Sequence, residues 1–594
     1  MSTAILTGQP VPGSSIEDDL RSLGFDVRIA ADATEAETLL AAVPGDRRVA
    51  VVDARFVGHL HALRLGLTDP RFPLAAVPGA VTAQPAGRQA LTRAMARENS
   101  AGGGMTLLDN LADRIVTALD ADGSDVHHPE LGSLVATVPA DPQSRNEARQ
   151  AVAAVDDEAV RLKSAVKSRD GFFTTHFISP YSRYIARWCA RRGLTPNQVT
   201  TASLLTALIA AGCAATGTRA GFVAAGVLLI ASFVLDCTDG QLARYSLQYS
   251  TLGAWLDATF DRAKEYAYYA GLALGAARGG DDVWALALGA MVLQTCRHVV
   301  DFSFNEANHD ATANTSPTAA LSDKLDSVGW TVWVRRMIVL PIGERWAMIA
   351  VLTAVTTPRI TFYVLLVGCA FAATYTAAGR VLRSLTRKAR RTDRAAQALA
   401  DLADNGPLAS FVARVNPGRL GAPLLIALAG TAILAVSLSS GVTWAPVAGA
   451  LVYALTSGQA LSRPLKGALD WLVPPLFRAA EYCTVLVLAA KAEVNGALPA
   501  AFGLVAAVAY HHYDTVYRIR GNAGAPPAWL VRAIGGQEGR TLLVTVLAAA
   551  LTASQFPVAL TVLAVAVALL VLVESIRFWV SAGAPAVHDE GEPA

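Results

Sequence analysis

The chain has 594 residues, of which 53% are apolar and 16% charged, and its formal net charge at pH 7 is +2. Soluble domains carry about 25% charged residues, so this balance favours a membrane protein with more than one domain. The small net charge, without a basic stripe interleaved with aromatic residues, excludes nucleic acid as a partner. The six cysteines stand singly and are interpreted as buried apolar residues. The first residues, MSTAILTGQPVPG, lack a secretory signal, so the N-terminus is expected in the cytoplasm.

Residues 1–140 are predicted to form a cytosolic α/β domain with a mostly parallel sheet. Short apolar runs such as TAILTG and RVAVVDARF alternate with amphipathic stretches such as TEAETLLAAV. Neither a G-x-G-x-x-G motif nor a P-loop is present, so nucleotide binding by this domain is unsupported. Asp53, at a predicted strand end, is interpreted as a turn or capping residue in preference to a ligand.

Residues 141–196 are predicted to form amphipathic juxtamembrane helices. Cations alternate with Tyr184 and Trp188, a pattern typical of a helix that lies along the cytoplasmic face of a membrane. A merely solvated helix is the alternative. The cations are Arg183, Arg187, Arg191 and Arg192.

Residues 197–385 are predicted to contain six membrane spans, followed by a basic linker at 386–418. The cluster RVLRSLTRKARRTDR follows the sixth span. By the positive-inside rule, this cluster and the juxtamembrane helix share the cytoplasmic side, which requires an even number of spans between them. The apolar segments lie at about 199–216, 221–237, 253–278, 282–303, 346–358 and 360–382.

Residues 419–582 are interpreted as a second, degenerate copy of the six-span region, followed by a disordered tail at 583–594. TDGQLARYS corresponds to TSGQALSRP, CRHVVDF to YHHYDTV, and GERWAMIAV to EGRTLLVTV. A chance likeness among Ala- and Leu-rich helices is the alternative. The matched positions are Gly240/Gly458, Gln241/Gln459, Asp257/Asp470, Arg262/Arg478 and Glu265/Glu481.

The second copy lacks most of the acidic residues of the first. Ala454 and Ser457 stand where the first copy has Asp236 and Asp239, and Asp261 falls near Pro474. We therefore expect the second copy not to catalyse a reaction. Its expected role is to pack against the first copy.

Four carboxylates of the first copy are predicted to face one another. Asp236, Asp239, Gly240 and Ala243 are spaced i, i+3, i+4 and i+7, which puts them on one helix face, and Asp257 and Asp261 are spaced i, i+4 on the next. Such a cluster repels itself unless cations bind it, and Mg²⁺ and Mn²⁺ prefer hard oxygen ligands. The pattern indicates a two-metal site for phosphoryl transfer. The alternative is ion pairing of the aspartates with Arg244, Arg262 and Lys264.

The complete pattern D-x2-D-G-x2-A-R-x8-G-x3-D-x3-D, from Asp236 to Asp261, resembles the signature of the CDP-alcohol phosphotransferases, also called CDP-alcohol phosphatidyltransferases. Members of that family are six-span membrane enzymes of phospholipid biosynthesis. They displace CMP from a CDP-linked alcohol with a second alcohol. The resemblance covers about residues 165–385.

The resemblance implies a role for each motif residue. It implies two Mg²⁺ or Mn²⁺ ions bound by Asp236, Asp239, Asp257 and Asp261, with Asp261 also acting as general base on the attacking hydroxyl. It further implies a CDP site. The residues that would line that site are Asn197, Asp239, Gly240, Ala243, Arg244 and Gly253.

The run KSRDGFFTTHFISPYSRYIARW ahead of LTPNQVT resembles the branch of the family that handles inositol phosphates. In that branch the transferase is sometimes fused behind a cytidylyltransferase. The N-terminal domain lacks the Gly-rich loop with Arg and Lys of an active cytidylyltransferase, so a degenerate relative with a regulatory or structural role is expected. Candidate acceptor ligands are Arg297, His298, Arg335, Arg336, Arg345 and Arg380, near Asp301. Arg335 and Arg336 are alternatively interface anchors.

The function expected from these patterns is a phosphatidyl or other phospho-alcohol transfer to an alcohol, in a bacterial plasma membrane with both termini cytoplasmic. The expected partners are the CDP-alcohol, the acceptor and membrane lipids. The expected assembly is either a homodimer of two chains or an intramolecular pseudo-dimer of the two membrane copies. Two other classes stay open, a catalytically silent scaffold and a transporter built from repeated bundles.

Overall fold

The structure is a computed structural model, and it describes residues 2–101, 110–167, 170–311, 333, 337–386, 389–415 and 421–581. The chain divides into two compact units. The first comprises Met1–Ser168, Tyr181–Pro196 and Thr238–Ser250, and the second comprises Arg169–Pro180, Asn197–Cys237 and Thr251–Ala594. The predictions for Arg335, Arg336 and the tail at 583–594 concern residues outside the described ranges.

A five-stranded sheet forms the centre of the N-terminal α/β region, as predicted. Its strand order is β2-β1-β3-β6-β5, and β1 is parallel to both β2 and β3. A two-stranded antiparallel sheet pairs β4 with β7. The strands are β1 (Ser2–Thr7), β2 (Phe25–Ala30), β3 (Val49–Asp53), β4 (Val57–Gly58), β5 (Leu74–Val77), β6 (Ala80–Ala83) and β7 (Ala136–Thr137).

The five-stranded sheet is mixed, which corrects the prediction that it is mostly parallel. Strand β6 runs antiparallel to both β3 and β5. Only Pro78 and Gly79 separate β5 from β6, and a two-residue connection can join only antiparallel neighbours. Gly79 has a φ of +78°, which suits such a tight turn.

Helices cover both faces of the five-stranded sheet. Ile5 belongs to one buried cluster, with Leu40 and Leu91, whereas Leu6 belongs to another, with Leu20. Successive side chains of a strand point to opposite faces, so β1 contributes to two cores. The helices of this part are α1 (Ile16–Ser22), α2 (Ala33–Ala42), α3 (Leu60–Thr68), α4 (Arg88–Ala101), α5 (Leu111–Ala121), α6 (Pro142–Ala153) and α7 (Asp157–Ser164).

The juxtamembrane segment is helical and presents aromatic residues outward. Helix α8 (Ser179–Arg191) follows a π-helical turn at Thr174–Ile178. Tyr181 and Trp188 are exposed, and Arg192 stacks on the Trp188 ring. Exposed aromatic rings beside cations are typical of residues at a membrane interface.

Six helices lie within the described residues of the first predicted membrane region. Helix α10 continues nine residues past the predicted end at 237 and ends before Leu247, whose φ is +50°. Pro358 starts the sixth helix, because a residue before proline is disfavoured in a helix. The helices are α9 (Pro196–Ala215), α10 (Arg219–Ser246), α11 (Thr251–Arg278), α12 (Trp284–Asn308), α13 (Ile342–Val355) and α14 (Pro358–Thr386).

The rest of the described chain is also helical. Two short helices, α15 (Asp393–Leu402) and α16 (Pro407–Val415), lie in the predicted linker. Seven helices follow in the second membrane region. These are α17 (Pro423–Ser437), α18 (Ala445–Ala460), α19 (Val473–Lys491), α20 (Ala497–Arg520), α21 (Ala528–Ala533), α22 (Gly536–Ala550) and α23 (Gln555–Ser581).

Six helical segments within the described residues are long and apolar enough to cross a membrane. They are divided equally between the two regions, and they point to a multi-pass membrane protein. Helix α13 has only 14 residues, and α11 carries several charged side chains near its start. The segments are Pro196–Ala215, Arg219–Ser246, Pro358–Thr386, Pro423–Ser440, Asp470–Lys491 and Gln555–Ser581.

We expect Leu6→Ala to destabilise the α/β region by about 2–5 kcal/mol, because it leaves a cavity in a packed core. Leu6 is 0% exposed, whereas its register partner Ile29 on β2 is 38% exposed. Ile29→Ala is therefore the matched control and should change stability by less than about 1 kcal/mol. Denaturant-dependent proteolysis of the full chain measures both. Equal sensitivity of the two variants would contradict the described core.

Candidate active site

Three of the predicted metal ligands lie together in the second unit. Asp236 is on α10, and Asp257 and Asp261 are one turn apart near the start of α11. Each offers a carboxylate oxygen, and these three oxygens all lie within 4.8 Å of one another. Asp257 is exposed, so the group is open on one side.

Lys264 closes the other side of this carboxylate group. Its side chain is 0% exposed, and its ammonium forms ion pairs with Asp236 and with Asp261 Oδ1, the latter at 2.9 Å. The ammonium also donates to Ser203 Oγ at 3.2 Å. Ser203 and Ser232 hydrogen-bond to each other, which fixes α9 against α10 beneath the lysine. The ion pairs with Lys264, which the sequence offered as an alternative to metal binding, are therefore present in the structure.

The carboxylate group fits a divalent cation even with Lys264 in place. Three carboxylates face one ammonium, which leaves a surplus of two negative charges. Hard carboxylate oxygens are the ligands that Mg²⁺ and Mn²⁺ prefer. One divalent ion balances this charge. A second ion would need further oxygen ligands, for which the motif provides Asp239.

The remaining motif residues lie on the same helices or at their starts. Asp239, Gly240, Ala243 and Arg244 follow Asp236 on the last two turns of α10 and belong to the first unit. Asp239 is buried, and the other three are half-buried. Gly253 lies in the first turn of α11, and Asn197 is the second residue of α9.

A second polar cluster surrounds Glu265, one turn beyond Asp261. Its carboxylate accepts from Arg262 Nη1 at 2.9 Å and from Arg345 Nη2 at 3.2 Å, and Arg345 Nε lies 3.0 Å from Oε1 as an ion pair. Tyr269 Oη donates to it at 2.6 Å, and His298 Nε2 lies 3.2 Å from Arg262 Nη1. We call this the Glu265 network.

The structure divides the candidate acceptor ligands into two groups. Arg297, His298 and Arg345 belong to the Glu265 network or lie within electrostatic range of it. Arg380 instead pairs with Asp301 and stacks on Phe304.

A corresponding network lies in the second membrane region. Glu481 accepts from Arg478 Nη1 at 2.6 Å and from Arg540 Nε at 2.6 Å. Asp404 accepts from Arg540 Nη2 at 2.6 Å and contacts His511 Nε2 at 3.0 Å. We call this the Glu481 network.

Sequence reasoning named Lys264 only in the alternative of ion pairing with the aspartates, and it missed Asp404. Lys264 is one turn from Asp261, and this i, i+3 spacing is a usable signal. Asp404 lies in a loop after α15, far from its partners in the chain. No local pattern marks such a residue.

The second region does not repeat the carboxylate group. Asp470, the counterpart of Asp257, accepts the Gly467 N–H at 2.7 Å and so caps its own turn. Among the described residues, Asp236, Asp257 and Asp261 form the only group of three side chains close enough to hold a metal.

Two family models match separate parts of the chain. Residues 193–374 match the model of the CDP-alcohol phosphatidyltransferase family. Residues 393–594 match a family of unknown function (DUF5941). The boundary between the two matches falls in the linker before α15.

Curated relatives match parts of this chain. A phosphatidylinositol phosphate synthase of Streptomyces avermitilis is 35% identical over 131 residues, which is 21% of this chain and 51% of the relative. A bifunctional IPC transferase and DIPP synthase of Aquifex aeolicus is 32% identical over 114 residues, 19% of this chain and 26% of the relative. An archaetidylinositol phosphate synthase of Pyrococcus horikoshii is 31% identical over 113 residues, 19% of this chain and 58% of the relative.

The chain thus spans about half, or less, of the length of these relatives. The names of the Streptomyces and Pyrococcus relatives both contain the words inositol phosphate synthase. This agrees with the family branch that the run before Asn197 predicts. With the aspartate motif complete and the family model matched, residues 193–374 carry a CDP-alcohol phosphatidyltransferase domain.

Proposed function

We propose that the chain is a divalent-metal-dependent CDP-alcohol phosphotransferase. One observation carries this proposal: the complete aspartate motif coincides with three carboxylate oxygens within 4.8 Å of one another. The transporter alternative is less well supported, because the acidic residues cluster at the adjoining ends of α10 and α11. Of the four aspartates, only Asp257 has an acidic counterpart in the second region, Asp470. The scaffold alternative does not account for the intact motif.

In the proposed reaction, an acceptor hydroxyl attacks the phosphorus that carries the alcohol of the CDP-alcohol. The new bond joins the acceptor oxygen to that phosphorus, the bond to CMP breaks, and CMP leaves with the electron pair. Asp261 takes the hydroxyl proton. Lys264 holds Asp261 and Asp236 in position, since its ammonium pairs with both carboxylates.

Asp236, Asp239, Asp257 and Asp261 would hold two Mg²⁺ or Mn²⁺ ions. When bound, such ions neutralise the negative charge that develops on the diphosphate. Asn197, Gly240, Ala243, Arg244 and Gly253 are proposed to contact CDP, with Arg244 donating to phosphate oxygens.

We propose that the acceptor carries a phosphate, as inositol phosphates do. Around Glu265, two guanidiniums, those of Arg262 and Arg345, contact one carboxylate, and that of Arg297 lies within electrostatic range. Around Glu481, two guanidiniums face two carboxylates, those of Glu481 and Asp404. Buried charge is costly unless it is balanced, so the surplus of the Glu265 network favours an anionic ligand.

We propose that the second membrane region is a duplicated, catalytically inactive copy of the first. In both networks the arginine three residues before the glutamate donates from Nη1 to Oε2, and the more distant arginine forms an ion pair through Nε with Oε1. The same two atom pairs recur on matching helices. Chance similarity between apolar helices does not explain such agreement.

A further correspondence extends the proposed duplication upstream of the membrane helices. Glu344 accepts the Phe173 N–H at 3.2 Å, and Glu538 accepts the N–H groups of Gly406 and Ala409 at 3.0 Å each. Glu344 lies in the first turn of α13 and Glu538 in the first turn of α22. Each binds the start of the helix that precedes the first helix of its region. This supports a second copy that begins near Asp404, earlier than the predicted 419.

The two proposed copies pack against each other within the second unit, which supports an intramolecular pseudo-dimer. The ring centroids of Trp255 and Trp579 are 6.2 Å apart, and Arg262 Cζ lies 5.2 Å from the centroid of Tyr513. The second copy therefore contacts the residue that follows Asp261. Within the described residues, six helices, α9 to α14, separate the basic residues of α8 from those after α14, and this even number supports a cytoplasmic location for both in a bacterial plasma membrane.

We expect Asp261→Asn to reduce CMP release about 10²- to 10⁴-fold, because an amide cannot accept the hydroxyl proton. The assay uses CDP-diacylglycerol, Mn²⁺ and a panel containing inositol, inositol 1-phosphate and glycerol 3-phosphate. Asp281→Asn is the control, since Asp281 pairs with Arg359 at the far end of α11. A folded Asp261→Asn protein with full activity would contradict the proposal.

Chelation should abolish activity, and Mg²⁺ or Mn²⁺ should restore it. Electron paramagnetic resonance should count two Mn²⁺ ions per chain in the presence of CDP and fewer in Asp257→Asn, which lacks one carboxylate ligand. Asp470→Asn should leave the count unchanged. A change in Asp470→Asn would refute the proposal that the second copy is inactive.

Arg297→Ala should raise the KM for a phosphorylated acceptor about tenfold or more, since charge-assisted hydrogen bonds contribute about 1.5–3 kcal/mol. The KM for CDP-diacylglycerol should stay unchanged. Arg359→Ala, which removes an arginine on α14 that pairs with Asp281, is the control. Equal use of inositol and inositol 1-phosphate by the unmodified chain would contradict the acceptor assignment.

A further inference from the structure

The last turn of α10 is enclosed by other segments of the first unit. Leu162, Ala165 and Tyr245 form a buried cluster, and Ala190 of α8 packs against it. Arg71, paired with Asp69, also stacks on Tyr249 just beyond the helix. The N-terminal part of the chain therefore contacts the end of the helix that carries the aspartate motif. None of the roles proposed above accounts for these contacts.

Tyr245 is held through both its backbone and its side chain. Arg161 Nε donates to the Tyr245 carbonyl oxygen at 2.9 Å, and Arg161 Cζ lies 3.6 Å from the centre of the Tyr245 ring. The Tyr245 hydroxyl donates to Glu158 Oε1 at 3.2 Å. A stacked cation and two hydrogen bonds on one residue leave it little conformational freedom. All three contacts come from α7.

The neighbouring motif residue is held by the same helix. Arg244 Nε donates to the carbonyl oxygen of Ala165, the residue after α7, at 2.6 Å. The guanidinium lies along the helix beside Gly240, where an added Cβ would be 3.5 Å from Nη1. A guanidinium already fixed by a carbonyl loses less entropy when it binds a phosphate than a free one does.

We infer that α7 is a positioning element for Arg244, through which the N-terminal unit sets the affinity of the enzyme for the CDP group. Arg161 fixes Tyr245, the residue after Arg244, and the Ala165 carbonyl sets the direction of the guanidinium. Arg161 and Glu158 are positioning residues and do not touch substrate. This inference rests on the proposed function, which assigns Arg244 to the diphosphate.

The test compares Arg161→Ala, Tyr245→Ala and the double variant in the full chain. The Kd of CDP with Mn²⁺ and the KM of CDP-diacylglycerol should each rise about two- to tenfold in Arg161→Ala, the cost of ordering one free side chain. The kcat and the acceptor KM should change little, because diphosphate binding is lost equally from ground and transition states. In the double variant the two losses of CDP affinity should be less than additive, since both substitutions remove the same stacking contact between Arg161 and Tyr245.

Arg88→Ala is the matched control. Arg88 donates to the Leu40 and Val43 carbonyl oxygens inside the α/β region, so its loss removes similar bonds away from α10. Its CDP affinity should equal that of the unmodified chain. If the CDP Kd is unchanged in Arg161→Ala but raised in Arg244→Ala, the positioning role is refuted and the proposed function stays intact. No change in Arg244→Ala itself would refute the CDP assignment on which the inference rests.

Arg161→Lys serves if Arg161→Ala does not fold. Lysine keeps the charge but lacks the planar guanidinium that both stacks on Tyr245 and donates from Nε. A raised CDP Kd in folded Arg161→Lys supports the inference, and an unchanged Kd contradicts it.

Discussion

The pairing of Lys264 with Asp236 and Asp261 is the interaction on which the rest of the site depends. An ammonium that is 0% exposed among apolar helices requires opposite charge, and two carboxylates provide it. The same pairing orients two of the three clustered carboxylates, and Asp257 lies open beside them. The site thus retains a surplus of negative charge. A cation can neutralise this charge while the ion pairs with Lys264 remain in place.

Buried charge also organises the two membrane regions around common networks. Each has a glutamate between two arginines, and each holds two helices of its region together, α11 with α13 and α19 with α22. The networks differ in balance, because Asp404 joins only the second. In the Glu481 network the charges balance, as a buried structural core requires. The Glu265 network, beside the carboxylate group, has a surplus positive charge that an anionic ligand can neutralise. This difference is the basis for proposing a structural role for the second copy and a ligand-binding role for the first.

The N-terminal unit gains a role from its contacts with the end of α10. Its sheet carries no phosphate-binding loop, and Asp53 is bound by Arg55, so it presents no obvious chemistry of its own. Its helix α7 instead holds Arg244 and Tyr245.

The sequence by itself determined the mixed α/β and helical organisation, the domain family and the aspartate motif. Apolar length and period-four spacing are local properties, so Asp236, Asp257 and Asp261 were predicted as one group, and their oxygens are now found within 4.8 Å. The antiparallel β5–β6 hairpin was also encoded locally, in Pro78 and Gly79, but the strand alternation masked it. Only the tertiary structure decided that Lys264 belongs to the carboxylate group, that Asp404 balances Arg540, and that Ala165 binds Arg244. The partners of Arg540 and Arg244 lie 136 and 79 residues away, and contacts at such separation depend on how helices pack, which no short sequence pattern records.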